Sequence, residues 1–63
     1  MMDGQDDAKF AVASLGEELS AMRLYKQRIA ACQDQQLRSI FEHNLREEIE
    51  HATKILRWIK AST

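Results

Sequence analysis

The stretch REEIEHA, residues 46–52, carries residue types that could bind a metal ion: three glutamates and one histidine. In a helix, Glu48 and His51 stand three residues apart, so both side chains project from the same face. Carboxylate oxygens and imidazole nitrogens are ligands for divalent transition metals. Glu47 and Glu50 fall off that face, where solvated i, i+4 ion pairs are the simpler interpretation. Because Glu-x-x-His also occurs by chance on charged helices, the motif alone is weak evidence.

The elements that must position these groups are predicted to be two helices in one domain over residues 1–63. Good helix formers dominate the sequence, and proline is absent. We expect a disordered tail over about 1–6, a first helix over about 8–32 and a second over about 35–60.

Capping residues and a short connection support this division. Asp6 or Asp7 is predicted to cap the first helix, and Asp34 the second. The connection CQDQ, residues 32–35, is short, and a short helix–helix connection makes the two helices antiparallel neighbours. The sequence therefore predicts an all-α, antiparallel helical hairpin.

The inward faces of both helices are apolar at the ends and polar in the middle. Steps of three and four residues give each face: Ala11, Leu15, Glu18, Met22, Tyr25, Ile29 and Cys32, then Leu37, Phe41, Asn44, Glu48, His51, Ile55 and Trp58. At about 1.5 Å of rise per residue, Glu18, Glu48 and His51 all lie roughly 22–26 Å from the turn. Two separate segments thus bring ionisable groups to the same level of the hairpin.

A buried carboxylate must be paired, protonated or bound to a metal. Helical di-iron and di-manganese sites use one glutamate from each of two helices and Glu-x-x-His from each of the other two. One hairpin supplies half of that set through Glu18, Glu48 and His51. Two hairpins in a four-helix bundle would supply all of it and would hold two ions per dimer. Carboxylate-rich ligation favours iron or manganese over a structural zinc site, which usually carries thiolates.

Size and composition narrow the alternatives. A chain of 63 residues seldom buries enough apolar surface to be strongly stable alone, and its single cysteine, Cys32, forms no intrachain disulfide. Self-association or a metal would compensate, and a cytoplasm-like compartment is favoured. A net charge of −1 without a basic patch argues against nucleic acid as a partner. No apolar run reaches membrane-spanning length, and the acidic N-terminus is unlike a signal peptide.

Two segments, EELSAMRLYKQRI (17–29) and HNLREEIEHATKILRWI (43–59), resemble the encapsulated ferritins, two-helix members of the ferritin-like superfamily. The resemblance covers roughly residues 15–59. It implies ferroxidase ligands at Glu18, Glu48 and His51, with Tyr25 close to the metal centre.

The resemblance further implies a di-iron site between two protomers and dimers that can assemble into a ring-shaped decamer. Members of this family oxidise Fe(II) and deliver iron for mineralisation inside an encapsulin shell. The expected location is therefore the cytoplasm, within such a compartment.

Three features depart from the family pattern. Leu24 stands where an aromatic residue often precedes the tyrosine. Ser20 replaces an acidic residue proposed for metal uptake, which leaves that accessory site to Glu17. Packaged members carry a C-terminal targeting peptide, whereas these 63 residues finish at WIKAST.

The sequence therefore favours a ferroxidase that uses dioxygen or peroxide for iron storage or detoxification. Two alternatives stay open at this point. One is a non-catalytic oligomerisation module in which buried Glu and His form a hydrogen-bonded network between subunits. The other is a structural or regulatory protein that holds zinc or calcium without redox turnover.

Overall fold

The computed structural model describes residues 4–62, with side chains from Asp6 onward. Helix α1 spans Gly4–Ala31 and helix α2 spans Gln35–Ser62, joined by residues 32–34. Tyr25 contacts Phe41 near the turn, and Glu18 lies beside His51 farther from it, so the helices run antiparallel. The predicted helical hairpin is confirmed.

The helices extend beyond the expected bounds at both outer ends. Helix α1 begins at Gly4 rather than near residue 8, so residues 4–6 are helical and not part of a tail; residues 1–3 lie outside the described part of the chain. Asp6 and Asp7 consequently lie in the first turn and do not occupy the N-cap. Their negative charges complement the positive end of the helix dipole there, which favours the earlier start.

The turn is held by hydrogen bonds that residues of α2 donate to the connection, residues 32–34. Asp34 Oδ1 accepts a bond from the backbone N–H of Leu37 at 2.8 Å, the N-cap arrangement expected for α2. Arg38 donates its backbone N–H to the Asp34 carbonyl at 3.0 Å and its guanidinium to the Cys32 carbonyl. The guanidinium therefore satisfies a carbonyl just beyond the end of α1.

Very little of the hairpin is buried. Ala52, 5% exposed, is the one buried apolar residue among those described. Nine large apolar side chains are 41–61% exposed: Phe10, Val12, Leu19, Leu24, Leu37, Ile40, Ile49, Leu56 and Trp58. The rod measures 48 × 17 × 15 Å and has an accessible surface of 5126 Å². A compact monomer of this mass would have about 4,200 Å².

Candidate metal centre

Glu18 of α1 and Glu48 and His51 of α2 come together in the middle of the hairpin. One ligand atom from each lies within 4.8 Å of the other two. The antiparallel pairing brings Glu18 opposite the Glu-x-x-His turn of α2, as the equal distances from the turn predicted. We refer to these three residues as the Glu–Glu–His cluster.

The contact between Glu18 and His51 is incomplete. His51 Nδ1 lies 3.6 Å from Glu18 Oε2, which is longer than a hydrogen bond. Glu18 Oε2 is buried and lacks a hydrogen-bond partner. A buried oxygen without a partner costs free energy, and a cation bound beside it would remove that cost. The side chain of His51 is 51% exposed, so one wall of the cluster opens to the surface of the hairpin.

The electrostatics of the cluster centre on Glu48. Its pKa is raised, first by side-chain hydrogen bonding with Glu18, then by burial and by repulsion from the Glu18 charge. His51 acts in the opposite direction, and Glu47 adds a further small repulsion. Two carboxylates brought together in this way disfavour full ionisation, and a divalent cation between them would favour it.

Tyr25 lies on the turn side of the cluster. Its ring packs against Phe41, with centroids 6.1 Å apart at 42°, and the Arg28 guanidinium lies 5.8 Å from the ring centre. Asn44 Nδ2 donates to the Tyr25 hydroxyl at 3.5 Å. The sequence singled out Tyr25 but gave Asn44 no role, although a polar residue on an inward face was the available signal.

Glu17, the predicted accessory site, lies outside the cluster, as do Cys32 and His43. Glu17 is exposed and is not part of the Glu–Glu–His cluster. Cys32 is at the turn, where its Sγ contacts the Asp34 carbonyl at 3.4 Å. His43 Nε2 forms an exposed pair with Glu47 Oε1 at 2.6 Å, away from the three clustered residues.

The family model described as EncFtn-like matches residues 1–63, the whole chain. The chain belongs to the EncFtn-like family. The resemblance identified from the two sequence segments is thereby confirmed.

Two curated relatives are similar to most of this chain. A "Ferritin-like protein" of Thermotoga maritima is 42% identical over 60 residues, which is 94% of this chain and 53% of that protein. An "Encapsulated ferritin-like protein" of Rhodospirillum rubrum is 44% identical over 50 residues, which is 79% of this chain and 36% of that protein. The chain thus spans about half or less of these relatives.

A solved structure shares the hairpin. The crystal structure of protein ne0167 from Nitrosomonas europaea is 45% identical and superposes with a TM-score of 0.92. The match covers 98% of this chain and 68% of the other. Within residues 4–62, neither helix is long and apolar enough to cross a membrane.

The hairpin of this EncFtn-like chain brings two carboxylates and one imidazole together in a cluster that is open to the surface on the His51 side. Oxygen-rich ligation with one nitrogen suits iron or manganese, and a cation beside Glu18 Oε2 would give that buried oxygen a partner. Three protein ligands leave further coordination positions of a metal ion unfilled by this chain.

Proposed function

We propose that two copies of this hairpin form a ferroxidase centre that oxidises Fe(II) to Fe(III) for iron storage or detoxification. The observation that carries the proposal is the Glu–Glu–His cluster, in which Glu18 Oε2 is buried without a partner. Membership of the EncFtn-like family supports iron as the substrate.

A second hairpin is needed for two reasons. One chain supplies two carboxylates and one imidazole, half of a four-helix di-iron set. The accessible surface is also about 900 Å² larger than that of a compact monomer of this mass, and a standard interface buries about 800 Å² per partner. A dimer that joins two Glu–Glu–His clusters would complete the ligand set and cover exposed apolar side chains together.

In this centre the protein does three things. Glu18 and Glu48 hold Fe(II), and their negative charges favour the more highly charged Fe(III) product. His51, neutral when it binds a metal, supplies the nitrogen ligand. Tyr25, on the turn side, borders the site. Dioxygen or peroxide accepts the electrons that Fe(II) gives up.

The proposal also includes a ring of dimers and an encapsulin shell. The Rhodospirillum rubrum relative is named an encapsulated protein. We place this chain likewise inside an encapsulin shell in the cytoplasm, as a ring of dimers up to a decamer, with Glu17 as an accessory site where metal enters. Sedimentation of the protein with and without Fe(II) tests the ring, and co-expression with a shell protein tests packaging.

Anaerobic Fe(II) titration followed by exposure to air tests the activity. We expect Fe(II) binding to saturate near one iron per chain. After exposure to air, near-ultraviolet absorbance should show oxidation that is faster than in buffer alone. Glu48→Ala should lose both. Glu50→Ala is the matched control, because Glu50 is exposed on the same helix and outside the cluster.

The outcomes separate this proposal from the two alternatives. Binding without faster oxidation would identify a structural or regulatory metal site. Assembly that is unchanged by Glu48→Ala, with no stoichiometric iron binding, would identify an oligomerisation module. Either result contradicts the ferroxidase proposal.

A further inference from the structure

Four large apolar side chains remain exposed on one side of the hairpin. Val12 and Leu19 of α1 are 61% and 49% exposed, and Ile49 and Leu56 of α2 are 41% and 45% exposed. The two residues on each helix are seven positions apart, about two turns, so each pair lies along one edge of its helix. We refer to these four residues as the apolar patch.

The clustered glutamates show that both edges lie on the same side of the hairpin. On α1, Leu19 directly follows Glu18. On α2, Ile49 directly follows Glu48. Each is therefore rotated by about 100° from an inward carboxylate, in the same sense along its own chain. In an antiparallel pair both the inward directions and the chain directions oppose each other, so equal rotations lead to the same side.

The metal-binding side of the hairpin is the opposite one. His51 is three residues after Glu48, a rotation of about 300°, which equals about 60° in the other sense. Its side chain is 51% exposed and forms the open wall of the Glu–Glu–His cluster. A second hairpin that completes the ligand set must approach from this wall, so it leaves the apolar patch exposed to water.

The apolar patch has a relief that suits a copy of itself. Gly16 lies between its two α1 members, and a Cβ built at Gly16 would meet nothing within 4 Å. Ala52, 5% exposed, lies between its two α2 members. Each helix thus presents a large, a small and a large residue in turn, and the large side chains of one copy can pack into the gaps of another.

Size and charge also favour a second copy as the occupant. A long side of the rod measures 48 × 17 Å, which matches the roughly 800 Å² that each partner of a standard interface buries. The apolar patch carries no charge that would attract an ionic ligand. When the patches of two copies meet, both are removed from water at once.

We propose that the apolar patch is a second interface between copies of this chain, separate from the interface that completes the metal ligands. This inference rests on the proposed function and deepens it, because it names the surface by which metal-linked dimers join. A hairpin with two self-complementary sides links dimers into larger assemblies, which one such interface alone cannot do. Since the apolar patch needs no metal, copies should associate through it in the metal-free protein.

Sedimentation velocity of the purified metal-free protein tests the apolar patch. The wild type should sediment as a dimer of 7.3 kDa chains. Val12→Glu should sediment as a monomer, because its dimer would bury an unpaired carboxylate, and Leu56→Glu tests the other helix in the same way. Both side chains are already exposed, so circular dichroism should show unchanged helix content. Gln27→Glu adds the same charge at an exposed position of α1 opposite Glu18 and should remain a dimer.

Adding Mn²⁺ separates the two interfaces. The wild type should then form assemblies larger than a dimer, whereas Val12→Glu should form only a metal-linked dimer that still binds about one Mn²⁺ per chain. His51→Ala should show the reverse, a metal-free dimer that Mn²⁺ does not enlarge. A metal-free monomer, or a metal-free dimer that both Val12→Glu and Leu56→Glu leave intact, would overturn the inference.

The proposed function and the apolar patch fail separately. If the wild type neither binds nor oxidises iron, the ferroxidase proposal fails, while the metal-free dimer and its loss in Val12→Glu still decide the role of the patch. If the wild type oxidises iron but both glutamate variants assemble as the wild type does, only the second interface is wrong.

Discussion

The turn and the Glu–Glu–His cluster differ in how many of their polar atoms find hydrogen-bond partners within one chain. At the turn, the Asp34 carboxylate is paired with a backbone N–H of α2, and the Arg38 guanidinium is paired with the carbonyl of Cys32. At the cluster, Glu18 Oε2 is buried without a partner, and the nearest His51 nitrogen is 3.6 Å away. Arg38 Nε also lacks a partner, but its guanidinium still makes one bond.

The turn and the cluster therefore contribute differently to the stability of the hairpin. The turn uses residues within about six positions of one another, so its bonds form whenever the hairpin forms. The cluster joins residues about 30 positions apart and leaves a carboxylate pair close together, which raises the pKa of Glu48. In the proposed dimer, a hairpin stabilised at its turn carries a less stable centre, which a bound metal and a second chain would stabilise.

The largest expected effect is metal-linked stability. Mn²⁺, a probe that tests binding without rapid oxidation, should raise the free energy of unfolding by about 2.7 kcal/mol at 100 times its dissociation constant. Urea unfolding with and without Mn²⁺ measures this. Glu18→Ala should abolish the increment because it removes the α1 ligand, and Glu50→Ala should keep it. An increment that persists in Glu18→Ala would place the metal elsewhere.

The next effect is at the turn. Asp34→Ala should lower the free energy of unfolding by about 1 kcal/mol, because the N–H of Leu37 loses its capping oxygen. Asp34→Asn is the control, since asparagine caps nearly as well. Thermal unfolding with and without Mn²⁺ should show the same metal increment in both variants. A smaller increment in Asp34→Ala would mean that turn and cluster are coupled.

The turn and the cluster also show what sequence reasoning could reach. The hairpin and the equal heights of Glu18, Glu48 and His51 follow from helix rise and apolar spacing. The early start of α1 was missed because Asp6 and Asp7 suit an N-cap as well as a first turn. The exposure of His51 and the bond between Asn44 and Tyr25 depend on the rotation and side-chain packing of the helices, which spacing alone does not fix.

Gly16 tests whether a second chain approaches α1 closely. A Cβ added there meets nothing within 4 Å inside the hairpin. Gly16→Ala should therefore stabilise the isolated hairpin by about 0.8 kcal/mol through helix propensity. Sedimentation velocity checks the assembly: if another copy packs against this position, the variant should dissociate more readily. Unchanged assembly with higher stability would exclude Gly16 from the interface.

The smallest effect is the pH dependence of the metal-free hairpin. Because the pKa of Glu48 is raised in the folded state, this group contributes stability that is fully present below the usual pKa of glutamate. That stability is lost as the pH rises through the raised pKa. Glu48→Gln carries no ionisable group at this position, so it should be slightly more stable than wild type at neutral pH and equal to it in acid.

Urea unfolding from mildly acidic to neutral pH measures this difference in stability between Glu48→Gln and wild type. Glu50→Gln, outside the cluster, should follow the wild-type curve. With Mn²⁺ the order should reverse at neutral pH, since Glu48→Gln weakens the ligand set and the metal favours the ionised carboxylate. Such a reversal would show that the same carboxylate destabilises the empty hairpin and stabilises the metal-bound one. Parallel curves with and without Mn²⁺ would mean that Glu48 is only a helix–helix contact.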